Sequence, residues 1–185
     1  MLRPIVLKVQ LFRSDDDAER LRSEACLRYF LEALTRTNET IFRAEGRRIP
    51  NLYDSGIRYL REQGTEEWQD VYENLALMTG DCEDLACHRV AELRQRFAMP
   101  GAQPDLTWHK LPGGMLEYHV RARHANGTIE DPSKLLGMNA ADGLPVPQLA
   151  RARAIASGRV GRLLPFRDRY AGFGPSVNRM VRRFA

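Results

Sequence analysis

Apolar and polar positions alternate from Ile5 to Phe12, with Ile5, Leu7, Val9 and Leu11 set against Val6, Lys8, Gln10 and Phe12. This period of two predicts a short β segment. Ser14, followed by Asp15, Asp16 and Asp17, suits the positive end of a helix running to about Thr37. Leu21, Ala25, Tyr29 and Ala33 form its predicted apolar stripe, widened by Phe30 and Leu34. Gly46 to Asn51 reads as a loop, and two further helical stretches are expected from about Asp54 to Glu62 and from Glu66 to Met78. Gly80 interrupts that pattern. A new amphipathic helix then starts near Cys82, carries Ala86, Val90, Leu93 and Phe97 on one face, and stops at Met99-Pro100-Gly101.

Beyond residue 101 the period changes. Leu106 to Leu111, Met115 to Arg123 and Thr128 to Glu130 read as strands, separated by Pro112-Gly113-Gly114 and by Asn126-Gly127, the latter a strong hairpin signal. Helices first and an antiparallel sheet afterwards predict an α+β domain. It is expected over residues 1–140, with a helical part at about 14–78 and a core at about 66–138. Residues 141–185 form an appendage rich in Pro, Gly, Ala and Arg, with at most a short helix around Pro147 to Ala156.

Composition changes this picture little. A 185-residue chain with 43% hydrophobic and 28% charged residues is of ordinary globular make-up. Nothing approaches the roughly 18 consecutive apolar residues of a membrane span, and the N-terminus, with Lys8 inside its apolar run, does not read as a signal peptide. Three cysteines, Cys26, Cys82 and Cys87, are too few and odd in number for a disulfide framework, so a reducing, cytoplasmic setting is expected. Charge is unevenly placed. The net of +4 arises from the appendage, which holds nine Arg against two Asp, while the body is slightly acidic. Such a tail suits an acidic protein partner better than nucleic acid, because it has few aromatics and no recognised binding motif.

The chemistry concentrates at Thr79-Gly80-Asp81-Cys82-Glu83-Asp84-Leu85-Ala86. A thiol is nucleophilic as a thiolate, and the N–H groups and dipole of a helix N-terminus favour that charge and could line an oxyanion site. Asp81, Glu83 and Asp84 oppose it, so a positive partner is needed. Cys26 and Cys87 fit the commoner role of small buried residues, whereas Cys82 is expected at the exposed end of its helix. Among the histidines, His88 points to another face of the helix, His109 is mid-strand and His124 is expected to be solvated. His119 lies with Glu117 and Arg121 on the polar side of a strand whose apolar side is Leu116, Tyr118, Val120 and Ala122. The hairpin folds Asp131 back towards His119, where a carboxylate can orient an imidazole. A zinc site of Cys82, Cys87, His88 and His109 would lack the paired hooks of structural sites, and neither a metal nor a cofactor is expected.

The Gly-Asp-Cys-Glu-Asp-Leu-Ala helix start, the strand with His119-Val120, the Gly127 turn and Asp131-Pro132-Ser133 follow one another in an order that resembles the transglutaminase-like cysteine enzyme superfamily. The resemblance covers about residues 66–138. It implies a papain-like arrangement in which Cys82 is the nucleophile, His119 the base and acid, and Asp131 the residue that holds the ring. The implied activity is an amide-bond reaction on a protein or peptide through an acyl-thioester, with hydrolysis favoured over transfer to an amine. The alternative is an idle structural or assembly member, in a bacteriophage or prophage setting, docking through its basic tail. Trp108 stands before the His119 strand but is displaced across the Pro112-Gly113-Gly114 turn from the family's usual place for an aromatic residue. Tyr53, Trp68 and Tyr72 are candidates for a second oxyanion donor.

Overall fold

The computed structural model describes residues 16–61, 66–114 and 116–138. The β segment expected at Ile5 to Phe12, the helix expected around Pro147 to Ala156 and the arginine-rich extension lie outside these residues.

Helix α1 spans Asp17–Glu45 and is capped by Asp16, whose carboxylate accepts from the N–H groups of Ala18 and Glu19 at 2.9 Å each. It runs past Thr37, and its buried face is not the expected one. Leu21 is 60% exposed and Tyr29 73% exposed, and Ala25 and Ala33 also face outward. The buried stripe is Ser23, Leu27, Leu31, Thr35, Asn38 and Phe42. Two of its polar members have partners: Thr35 Oγ1 donates to the Leu31 carbonyl at 2.8 Å, and Asn38 Oδ1 accepts from Val71 N–H at 3.0 Å.

The chain between α1 and residue 78 is less helical than its pattern suggests. One 3₁₀ turn covers Leu52–Asp54, and Gly56, at φ +85°, turns the chain into a two-residue strand, β1, at Arg58–Tyr59. Helix α2 is confined to Val71–Leu77, because Asp70 and Glu73 form a capping box there and Met78 adopts a left-handed conformation (φ +59°). Strand β2, Thr79–Gly80, pairs in parallel with β1, and Leu60 N–H donates to the Gly80 carbonyl at 3.0 Å.

Helix α3, Cys82–Arg96, lies between α1 and a three-stranded antiparallel sheet. The sheet has the order β3 (Gln103–Lys110), β4 (Leu116–Arg123), β5 (Ile129–Glu130), with Leu106 opposite Val120 and Ala122 opposite Glu130. Asn126-Gly127 makes the expected hairpin turn, with Gly127 at φ +88°. Asp131 then caps a single-turn helix, α4 (Pro132–Leu135). The architecture is therefore α+β. Leu85, Ala86, Val90, Ala91 and Leu93 are fully or almost fully buried, but Phe97 is exposed and lies under the Arg89 guanidinium. Burial of side chains such as Leu31 and Leu85 contributes about 1.5–3 kcal/mol each. Among the described residues no helix is long and apolar enough to cross a membrane.

Two expectations follow. A Cβ built on Gly80 would lie 2.6 Å from Asn74 Oδ1 and 3.1 Å from Asp84 Cβ, so Gly80→Ala should cost about 1–3 kcal/mol, read as a lowered denaturation midpoint. His88 is wholly buried and its pKa is lowered to about 3, by burial first and by Arg96 and Arg89 next. The unfolded chain then binds a proton that the folded one refuses. Stability is complete above about pH 6.5 and falls towards pH 3, by about 1.4 kcal/mol per pH unit. His88→Leu should flatten that acid limb in denaturant titrations.

Candidate active site

The start of α3 is fixed from several sides. The Asp84 carboxylate accepts from Gln69 N–H at 2.7 Å through one oxygen and from Asp81 N–H at 3.2 Å through the other, tying the segment before α2 to the helix start. Cys82, expected at an exposed helix end, is in fact only 9% exposed. It packs with Leu31, Leu106 and Val120, and Tyr59, Trp68, Trp108 and Tyr118 close around that cluster.

The sulfur meets the sheet at its edge. Alternate N–H groups of a strand point to opposite edges. On the edge that β4 shares with β5, His124 N–H reaches the Thr128 carbonyl, and Ala122 lies opposite Glu130. Two residues earlier β5 has ended, and the Val120 N–H there is close enough to Cys82 to favour its thiolate. Pro132, which lacks an N–H, begins α4 just beyond, so the ladder does not continue there.

His119, the neighbour of Val120, is only 6% exposed despite its place on the more polar side of β4. Its Nε2 pairs with Asp131 Oδ2 at 3.0 Å. Asp131 Oδ1 in turn accepts from Lys134 N–H at 3.2 Å. Burial alone would raise the Asp131 pKa, but the bonds from His119 and Lys134 outweigh it, and the carboxyl is held below its usual range. With Nε2 engaged by the carboxylate, Nδ1 is the ring nitrogen left for chemistry. The sequence-predicted His119 and Asp131 are thus brought into direct contact, whereas among the described residues no hydrogen bond joins Cys82 to either, and the sulfur packs with the neighbouring Val120 instead. The hydrogen bond of the thiol runs to Glu83 Oε2, at 3.1 Å.

The surroundings of the sulfur are acidic. Burial pushes the Cys82 thiol up, and the charges of Glu83 and Asp81 and the bond to Glu83 push it further, against the opposing effect of Val120 N–H. Burial, with Asp81 and Asp84, likewise raises Glu83 well above the carboxylate range. Tyr118 Oη donates to Glu66 Oε1 at 2.8 Å and lies 3.4 Å from Glu83 Oε1. Oxygens of Glu66, Asp81 and Glu83 come within 4.8 Å of one another, the grouping among the described residues best spaced to hold a cation.

Other candidates have different employment. The zinc set is not assembled: Cys87 Sγ bonds the Leu31 carbonyl at 3.4 Å, and His88 lies edge-on to Phe42. His109 sits 6.3 Å from the His119 ring, centroid to centroid. His124, expected in solvent, is partly buried and bonds Glu130 at 2.6 Å. Of the suggested oxyanion donors, Tyr53 bonds Glu130, Tyr72 bonds Glu45 at 3.0 Å, and Trp68 packs on Phe30. Residues that periodicity could not supply include Tyr59, which a distant segment brings near the sulfur, and Glu66 and Tyr118, which meet beside Glu83. Arg89 and Glu130, paired at 2.8 Å, tie α3 to β5, the strand that ends just before Asp131.

Asp131→Ala should cost about 1 kcal/mol through the lost α4 cap. Proton NMR of the unaltered protein is expected to show a slowly exchanging His119 ring N–H, held by the Asp131 carboxylate 3.0 Å away, and the variant should lose it. In comparisons with known proteins the chain matches no protein-family model, no curated protein and no solved structure.

Proposed function

We propose that the protein is a cysteine-dependent amide-bond enzyme with a transglutaminase-like core, in which Cys82 attacks a peptide or amide carbonyl and forms an acyl-thioester. His119 acts through Nδ1, giving a proton to the leaving nitrogen and later taking one from the attacking water, and Asp131 holds the ring. The observation that carries this reading is the His119–Asp131 pair, 3.0 Å apart, on the strand whose Val120 packs in one cluster with Cys82. The helix N-terminus supplies N–H groups for the developing oxyanion. Water is the preferred acceptor, since transfer to an amine needs an architecture that keeps water out.

A second reading, a catalytically idle structural or assembly protein, is favoured by one observation: the thiol is buried among acids and its ionisation is opposed. Alkylation with iodoacetamide followed by peptide mapping separates the two. The enzyme reading expects Cys82 to react ahead of half-buried Cys26 and buried Cys87. It also expects amine release from fluorogenic peptide amides to vanish in Cys82→Ala and to fall about 10²–10⁴-fold in His119→Ala. Labelling of Cys82 no faster than that of the other two cysteines would sink it.

A further inference from the structure

Strand β5 holds only Ile129 and Glu130, and its ladder to β4 has two residue pairs, a weak hold on the chain that follows. The side chain of Glu130 supplies a stronger one. Arg89 donates to it from α3 through Nε at 2.8 Å and Nη2 at 3.4 Å, and Tyr53 Oη donates to it from the 3₁₀ turn at Leu52–Asp54. His124 Nε2, at the end of β4, lies 2.6 Å from its other oxygen. Burial alone would raise the Glu130 carboxyl, but the bonds from Tyr53, Arg89 and His124 hold it below its usual range. Arg89 is itself fixed. Its Nη1 donates to Glu92 at 2.7 Å, and its guanidinium lies 5.1 Å from the centre of the Tyr53 ring and 5.2 Å from that of Phe97. A stacked arginine that grips a carboxylate with two donors is a rigid fork.

Successive side chains of an extended chain point to opposite sides. Ala122, the partner of Glu130 across the ladder, packs with Val90 and Leu93 of α3, and Glu130 reaches Arg89 on that same side. Asp131 is the next residue and still extended, at φ −113° and ψ 91°, so it faces the other way. His119 does so too, since its neighbour Val120 packs against α3, and there the two side chains meet at 3.0 Å. We propose that Glu130 is a positioning residue for His119, an inference that rests on the acyl-transfer reading above: by anchoring β5 to α3 on one side of the sheet, it holds the Asp131 carboxylate on the other side in line with His119 Nε2. Glu130 touches neither substrate nor the reacting atoms and acts through Asp131. The anchor also joins the helix that starts at Cys82 to the hairpin that carries His119, because Arg89 lies about two turns along α3 from the cysteine. A displacement of about 1 Å at a positioned group is enough to lower turnover severely.

The test uses the full chain and two variants. Glu130→Gln keeps the shape of the side chain and removes its charge, whereas Val71→Ala opens a cavity in the α1–α2–α3 packing and leaves the bonds of Glu130 in place. Proton NMR at neutral pH follows the slowly exchanging His119 ring N–H, assigned by its absence from His119→Gln, and fluorogenic peptide amides give kcat and KM. Glu130→Gln is expected to lose the resonance, while Val71→Ala keeps it despite a lowered denaturation midpoint. In Glu130→Gln kcat should fall about 10–10²-fold with KM within about twofold, and in Val71→Ala both should stay within about twofold. An unchanged resonance in Glu130→Gln, its loss from both variants, or its absence from the unaltered protein would overturn the proposal. So would a kcat that falls no further in Glu130→Gln than in Val71→Ala. If Glu130→Gln does not fold, Tyr53→Phe, which removes one bond to Glu130, should speed exchange of the ring N–H, and an unchanged exchange rate overturns the proposal. Amine release that survives Glu130→Gln with the ring N–H intact removes the role of Glu130 and leaves the acyl-transfer reading standing. Resonances that behave as expected in a protein that releases no amine remove that reading and leave Glu130 as the residue that positions the pair.

Discussion

Helix α3 has almost no face towards water. Every residue from Cys82 to His88 is buried, and so are Val90 to Leu93, because α1 covers one side of the helix and the sheet another. A helix placed there needs partners for its polar groups, and most find them, although among the described residues both ring nitrogens of buried His88 are without a hydrogen bond. Asp84 satisfies the backbone of Gln69 and Asp81, and Glu92 meets Leu52 N–H, Arg89 and Arg96. Arg96 in turn reaches the carbonyls of Gly46 and Ile49, closing the end of α1. Most of the loops are held by this one helix.

The same burial makes the site. Cys82 packs with Leu106 and Val120 of the sheet, near where β5 gives way to Asp131 and Pro132. Asp131 does two tasks, capping α4 and engaging His119, while Glu130 before it is fixed by Arg89, Tyr53 and His124. Side chains held by strands and buried ion pairs are more precisely placed than ones carried on free loops. Burial also sets the electrostatic problem, since acids removed from water next to a thiol raise one another, and the sulfur cannot be considered apart from Glu83.

Much of the fold was legible in the chain because it depends on neighbours in sequence. The Asn126-Gly127 turn, the start of α3 after Gly80 and the helix-then-sheet order follow from local periods and turn residues. The pairing of His119 with Asp131 was legible too, because a hairpin with a short turn fixes which residues face one another. Other features could not be read in this way. The stripe Leu21, Ala25, Tyr29 and Ala33 satisfies helical spacing yet faces water, because the face that α3 covers contains Thr35 and Asn38, whose partners lie on other turns and elements. The stretch from Asp54 failed as a helix because Met78 and Gly80, far along the chain, offered it a parallel strand partner.

What the sequence by itself determined is the α+β class, the place of Cys82 at a helix start, and the local geometry that joins His119 to Asp131. What only the tertiary structure decided is the environment of the sulfur: its burial, its packing with Val120 of β4, and the crowd of Glu83, Tyr59 and Tyr118 around it. The division has a physical cause. Helix caps, turns and hairpins are set by interactions a few residues long, whereas burial depends on which distant surfaces pack together.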